Sequence, residues 1–390
     1  MRLSQRISNI TGGGSDGWDV FYRARDMIEA GTPVIELTIG EHDIGTDPSV
    51  LEAMHKSATG GHTGYAVVPG EMALRKAVAR RVEARTGVPT TADNVLITPG
   101  GQSALFTAHH AACDGGDTAL YCDPYYATYP GTIRAVGANP KPIVTRPEDN
   151  FQPTAGQIGA EAEGARSLLI NSPNNPTGVV YGPETMAAIS NACISHGLWL
   201  ISDEVYDTQV WEGDHISPRA LPGMADRTLV VGSMSKSHAM TGSRVGWLVG
   251  PKEVIAAAID LATHMTYGVP GYIQDAALFA LNAGQDLETK ISAPFQRRRL
   301  LAEQVLEGQN VVRPIRSSGA MYLMLDIRAT GLSGEEFATC LLERHHIAVM
   351  PGESFGRAAS GHIRVAMTVE DSVFEDALKK LVELAREFAA

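Results

Sequence analysis

Between residues 94 and 250, short apolar runs alternate with segments whose apolar residues recur every three or four positions. NVLIT (94–98), TALYC (118–122), KPIVT (141–145) and SLLIN (167–171) read as strands, as do LWLIS (198–202), TLVVGS (228–233) and RVGWLVG (244–250). GQSALFTAHHAAC (101–113) and ETMAAISNACISHG (184–197) carry helical spacing, the second closed by a glycine. Strands that are apolar throughout and alternate with helices bury both faces. This predicts an α/β fold built on a mainly parallel, seven-stranded sheet sandwiched by helices.

After residue 251 the pattern changes. A helix over 251–266 precedes a charged helical stretch, 286–308, that Pro294 is expected to interrupt. MYLMLDI (321–327), IAVM (347–350) and HIRVAM (362–367) read as strands around a helix at 334–345, and an amphipathic helix starts near 371. This is a smaller α+β unit, which the N-terminal forty-odd residues are expected to join. The expected division is 46–275 for the larger unit, and 1–45 with 276–390 for the smaller. A single core stops growing near ~250–300 residues, so a chain of 390 fits two units better than one.

Composition narrows the function classes. With 44 acidic against 32 basic residues the net charge is −12, which repels phosphate backbones and disfavours nucleic acid as a partner. No apolar stretch approaches the ~20 residues of a membrane span, and MRLSQRISNITGGGSDGW lacks the apolar region of a signal peptide. Cys113, Cys122, Cys193 and Cys340 show no CxxC pairing, which points away from a disulfide framework or a zinc site. A cytoplasmic protein is expected.

In parallel α/β sheets, ligands bind beyond the C-terminal ends of the strands. NVLIT is followed by PGGQSA, TALYC by DPYYATY, SLLIN by SPNNPTG, LWLIS by DEVY and TLVVG by SMSKSHAMTGSR. Gly100, Gly101 and Gln102 open a helix whose free N–H groups can hold a phosphate, and Ser233 and Arg244 can add donors to it. Tyr125 or Tyr126 can stack on a flat ring. Asp203 can pair with a protonated ring nitrogen, and Lys236 can supply an amine to an aldehyde. A phosphate, a basic heterocycle and an aldehyde together describe pyridoxal 5′-phosphate.

The motifs Asn175-Pro176-Thr177-Gly178, Ser202-Asp203-Glu204-Val205-Tyr206 and Ser233-Met234-Ser235-Lys236, with Arg244 eight residues on and Ile363-Arg364-Val365 near the end, stand in this order along the chain. The chain thereby resembles the class I/II, fold-type I pyridoxal-phosphate aminotransferases over essentially its whole length. The resemblance implies that Lys236 bonds the cofactor and then moves the substrate α-proton. Asp203 would hold the pyridine nitrogen protonated, while Asn175 and Tyr206 would bond the phenolic oxygen and Tyr126 would stack on the ring. Gly101, Gln102, Ser233, Ser235 and Arg244 would surround the phosphate. Arg364 would clamp the substrate α-carboxylate, beside Asn175 and the backbone at Gly40. Tyr65 would reach the phosphate of a neighbouring subunit, making the active site the product of a homodimer. Ping-pong transfer from an L-amino acid to a 2-oxo acid, pyruvate or 2-oxoglutarate, would follow.

Two departures weigh against a dicarboxylate donor. Aspartate-type members often carry a lysine where this chain has Gln102, and THMTYGVPGYIQDAA (263–277) contains no arginine. GMADRT, SKSHAMTGSRVGW and YGVPGYIQDAA look most like the arginine–pyruvate transaminase branch. The donor is therefore expected to be arginine or another neutral or aromatic amino acid. Aspartate transamination and a pyridoxal-phosphate-dependent C–S β-lyase are the alternatives. Gly12, Gly14 and Gly17 spell GxGxxG, but no apolar strand precedes them, so a dinucleotide fingerprint is not expected. Gly101-Gln102-Ser103 begins like a nucleophile elbow, yet Leu105 stands where the closing glycine belongs.

Overall fold

The first strand of the computed structural model, which describes residues 1–12 and 17–389, is the short β1 (Ile35–Leu37). The apolar runs follow as β2 (Val95–Thr98), β3 (Thr118–Asp123), β4 (Asn139–Val144), β5 (Ala165–Asn171), β6 (Trp199–Asp203), β7 (Thr228–Ser233) and β8 (Gly246–Val249). They form one seven-stranded sheet in the order β2-β8-β7-β6-β5-β3-β4. All neighbours are parallel except β8, which runs antiparallel to both β7 and β2. The expected α/β class is borne out.

Both faces of this sheet are dry. Leu168, Ile170 and Leu200 pack under the Ala155–Ala162 and Pro183–His196 helices with Ile158, Met186 and Ile189. Leu169 and Ile201, one position along, pack on the opposite face with Leu105, Ile133 and Ile255 from three further helices. That alternation is the period-2 geometry of a strand buried on two sides. Gly197 closes the Pro183–His196 helix in the left-handed conformation, φ +65°, which favours glycine.

A second sheet contains β9 (Arg313–Pro314), β10 (Tyr322–Asp326), β11 (Ile347–Pro351) and β12 (His362–Ala366), in the order β1-β11-β12-β10-β9. Its core holds Phe337, Leu341, Val349, Val365, Phe374 and Leu381. Pro294 does not interrupt the chain as expected: one helix runs Gln285–Leu306. Fully buried Ile291 and Phe295 flank the proline, and Arg298 bonds Asp371 at 2.8 Å, so tertiary packing carries the helix past the lost backbone donor. The Gly271–Asn282 helix crosses position 275 and packs against the Pro48–Thr59 and Met72–Thr86 helices beside the larger sheet. Gly14 lies outside the described residues, and among those described no strand precedes Gly12.

Candidate active site

The C-terminal ends of β2, β5, β6 and β7 open on a cavity of about 250 Å³, closed on its other side by residues 39–40 and by Tyr322 and Arg364 of the second sheet. Gly40, Gly101, Gln102, Tyr126, Asn175, Asp203, Tyr206, Ser233, Ser235, Lys236, Arg244 and Arg364 all line it. Every site residue named from the sequence is therefore brought together except Tyr65, which is 93% exposed and meets Tyr267 edge-on at 5.3 Å. Tyr126 lines the cavity, whereas Tyr125 lines a neighbouring one.

Two anion-accepting ends can be read from the donors. At one end the Gly100–Ala112 helix points its N-terminus into the cavity. Gly100 sits at φ +78°, and a Cβ there would lie 2.2 Å from Nη2 of Arg244. A Cβ on Gly101 would press on Val205 at 3.2 Å. Arg244, itself left-handed at φ +49°, donates to the Thr241 carbonyl at 2.8 Å and reaches Ser235 Oγ at 3.4 Å. It pairs with no acid among the described residues. Helix amides, two serines and an unpaired guanidinium suit a phosphate. The Gln102 side chain turns away, donating to Thr132 Oγ1 at 2.7 Å and accepting from Thr128 at 3.0 Å, so its contribution to that end is its backbone.

At the other end Arg364 is 1% exposed and likewise lacks an acidic partner among the described residues. Its Nη1 donates to Asn175 Oδ1 at 2.8 Å and its Nη2 to the Thr38 carbonyl, while its buried Nε has no partner among the described residues. The guanidinium lies between the rings of Tyr322 and Phe355, 4.5 and 4.4 Å from their centroids. Burying a cation without a counter-ion is costly, and desolvation pulls the Arg364 pKa below its ordinary value. An anion supplied from outside relieves that cost. Gly40 closes this end: a Cβ there would fall 1.8 Å from the Tyr322 hydroxyl.

Between the two ends, Lys236 follows β7 and donates from Nζ to the Gly40 carbonyl. Asp203 ends β6, 4% exposed, and burial pushes its carboxyl up to about 6. Tyr206 bonds Tyr322 hydroxyl-to-hydroxyl at 3.0 Å. Tyr126 and Val205 would flank a flat ring, Arg244 would meet a phosphate and Asp203 a protonated ring nitrogen, so the residues fit pyridoxal 5′-phosphate.

Sequence reasoning missed several groups. Tyr129 donates to Asp203 Oδ2 at 2.7 Å. Asn171 holds the Asn175 amide through Oδ1 at 2.7 Å and donates to the Asp203 carbonyl at 2.9 Å. His42 bonds the Lys236 carbonyl at 3.0 Å, and burial followed by the Lys236 charge lowers its pKa to about 4. Only Tyr129 carried a signal, standing one helical turn after Tyr126 in YYATY.

A seven-stranded α/β sheet with paired anion ends around a lysine defines a pyridoxal-phosphate enzyme, and residues 32–381 match the family of class I and II aminotransferases. The chain belongs to that family. It is 39% identical over 388 residues, 99% of each chain, to the arginine–pyruvate transaminase of Pseudomonas aeruginosa. It is 33% identical over 384 residues, 98% of each chain, to a probable aspartate/prephenate aminotransferase of Thermus aquaticus. A double mutant of Thermus thermophilus aspartate aminotransferase superposes with a TM-score of 0.92 at 32% identity, covering 98% of this chain and 100% of that one. The protein is an aminotransferase that uses pyridoxal 5′-phosphate and moves an amino group between an amino acid and a 2-oxo acid.

Proposed function

We propose that the enzyme takes its amino group from arginine or from a neutral or aromatic L-amino acid and delivers it to pyruvate or 2-oxoglutarate. One observation carries this reading. Among the described residues three cations line the cavity, Lys236, Arg244 and Arg364; each would serve a group common to every donor, which leaves no fourth among those residues for a side-chain carboxylate. Trp18, Tyr126 and Tyr322 give the cavity aromatic walls instead. The likeness to an arginine–pyruvate transaminase supports the same reading.

When bound, pyridoxal 5′-phosphate supplies an aldehyde for the substrate nitrogen and a protonated ring that accepts negative charge from the α-carbon. In this proposal the chain does the rest. The Gly101 and Gln102 amides, Ser233, Ser235 and Arg244 hold the phosphate, Tyr126 stacks on the ring, and Asn175 and Tyr206 bond its phenolic oxygen. Asp203 keeps a proton on the ring nitrogen. Arg364, with Asn175 and the Gly40 backbone, fixes the substrate carboxylate. Lys236 would carry a proton at Nζ on one face of the substrate. The protein acts as a cytoplasmic homodimer in which exposed Tyr65 reaches the partner's phosphate end. The absence, among the described residues, of any helix long and apolar enough to cross a membrane is compatible with that. Residues 46–275 form the phosphate-holding unit and 1–45 with 276–390 the other; by its packing the rest of the Gly271–Asn282 helix goes with the former.

A donor screen with pyruvate and with 2-oxoglutarate as acceptors tests the reading. Arginine or a neutral donor should give the highest kcat/KM. Aspartate or glutamate at the top would overturn it, and release of pyruvate and thiol from cystathionine without an acceptor would indicate a lyase.

A further inference from the structure

Asp203 has no lysine, arginine or histidine paired with it among the described residues. The groups that face it are Tyr126 and Tyr129 from the segment after β3, and Glu204, Val205 and Tyr206 from its own turn. Two of these donate to the carboxylate: the Tyr129 hydroxyl to Oδ2 at 2.7 Å, and the Val205 amide to Oδ1 at 3.3 Å. The Tyr129 contact is the shorter and straddles two separate elements, β6 and the Tyr129–Ala135 helix. Glu204 adds a like charge, so burial and repulsion both disfavour an ionised Asp203 while the two donors oppose them.

Tyr129 is placed for this task alone. It is 3% exposed, stands edge-on to Tyr126 at 5.7 Å, and among the described residues its hydroxyl bonds Asp203 alone. Its own pKa is raised well above the ordinary phenol value, first by burial and then by Asp203, so it keeps its proton and acts only as a donor. A donor to the charged form of a dry carboxylate favours that form.

We propose that Tyr129 is a positioning residue for the cofactor: its hydroxyl holds Asp203 in the ionised form and occupies Oδ2, so that the proton shared between Asp203 and the ring nitrogen rests on the nitrogen. This rests on the reading of Asp203 as the nitrogen's partner. Remove the hydroxyl and the carboxylate becomes the more basic of the two. The proton then moves toward Asp203, no proton is gained or lost by the pair, and the ring accepts charge from the substrate less well.

Tyr129→Phe keeps the ring and its packing and deletes only the donor. Holoenzyme carrying cofactor labelled with ¹⁵N at the ring nitrogen is the first measurement. The wild-type nitrogen should show the protonated shift at pH 7–8, and the variant should move toward the unprotonated value. In the cofactor-free full chain, the Asp203 carboxyl infrared band, assigned with Asp203→Asn, should titrate about one pH unit higher in the variant. The variant's kcat should fall about tenfold with KM within about twofold, as expected for a group acting in the transition state. A variant that loses only thermal stability, with the nitrogen shift and the Asp203 titration unmoved, would overturn the proposal while leaving Asp203 in its role. An unprotonated nitrogen in wild type, or one indifferent to Asp203→Asn, would instead overturn the reading of Asp203 on which it stands.

Discussion

Arg244 and Arg364 stand at opposite ends of one cavity and are held in contrasting ways. Arg244 belongs to a turn: it is exposed, adopts a left-handed backbone, and among the described residues hydrogen-bonds a carbonyl and a serine. Arg364 belongs to the middle of β12, pairs in register with Met324 and Met350, and lies between two aromatic rings. In the proposed reading, the phosphate end would share its anion among helix amides, hydroxyls and an exposed cation, so no single donor would be decisive. The carboxylate end would concentrate recognition in one pre-oriented fork. A group that stays bound through many turnovers tolerates the first design. A group bound and released each cycle gains from the second, because little ordering remains to be done on binding.

The largest expected effect follows from that concentration. Arg364→Lys keeps the charge but loses the planar fork and its stacking on Tyr322 and Phe355, so kcat/KM should fall on the order of 10²–10³-fold. Because every α-amino acid carries the same carboxylate, the factor should be similar for arginine, alanine, aromatic and acidic donors. Steady-state kinetics with one donor of each kind would check this. A loss confined to acidic donors would mean that Arg364 reads the side chain, and the two ends would have to be reassigned.

The contrast also explains what could be read from the sequence. The larger sheet was legible because its strands are apolar on both faces and their ends carry the chemistry in chain order. The Met72–Thr86 helix was not, because its cations hide the apolar stripe: Arg75 is buried and donates to the Ala92 carbonyl at 2.7 Å and the Val95 carbonyl at 3.0 Å, a role that spacing does not reveal. β1, three residues long, carries too little periodicity to stand out. Arg364 was legible as a type of residue but not as an environment. Tyr322, Phe355 and Thr38, which fix its guanidinium, come from separate parts of the chain and meet only in the fold. The phosphate end draws on two strand-end motifs, 100–102 and 233–244, each readable by itself, so more of it was visible; the surroundings of Arg364 carry no such motif, so less was.

A second, smaller effect probes the shared end. Gly100→Ala places a side chain at φ +78° and a Cβ against Arg244. The backbone strain is about 1–2 kcal/mol, and Arg244, being exposed, can move aside. Cofactor affinity should therefore drop by roughly 5- to 30-fold, with donor preference unchanged. Equilibrium titration of cofactor-free protein would measure it. A collapse in affinity comparable to the Arg364→Lys effect would show that the phosphate end is no more distributed than the other.

The smallest effect concerns Tyr65. Its hydroxyl is exposed in one chain, and it contributes nothing to its own cavity. If it reaches the partner's phosphate, Tyr65→Phe removes one hydrogen bond to a charged acceptor out of several, a loss of ~1–2 kcal/mol. Cofactor retention should weaken about tenfold, while sedimentation shows the same dimer for both proteins, so that the change is not one of assembly. Arg364-dependent steps should be untouched, leaving KM for every donor near its wild-type value. Unchanged retention would mean that each chain completes its own phosphate end. The exposed Tyr65–Tyr267 pair would then need another explanation, because aromatic rings packed edge-on at 5.3 Å in water gain far less than the same pair covered by a second surface.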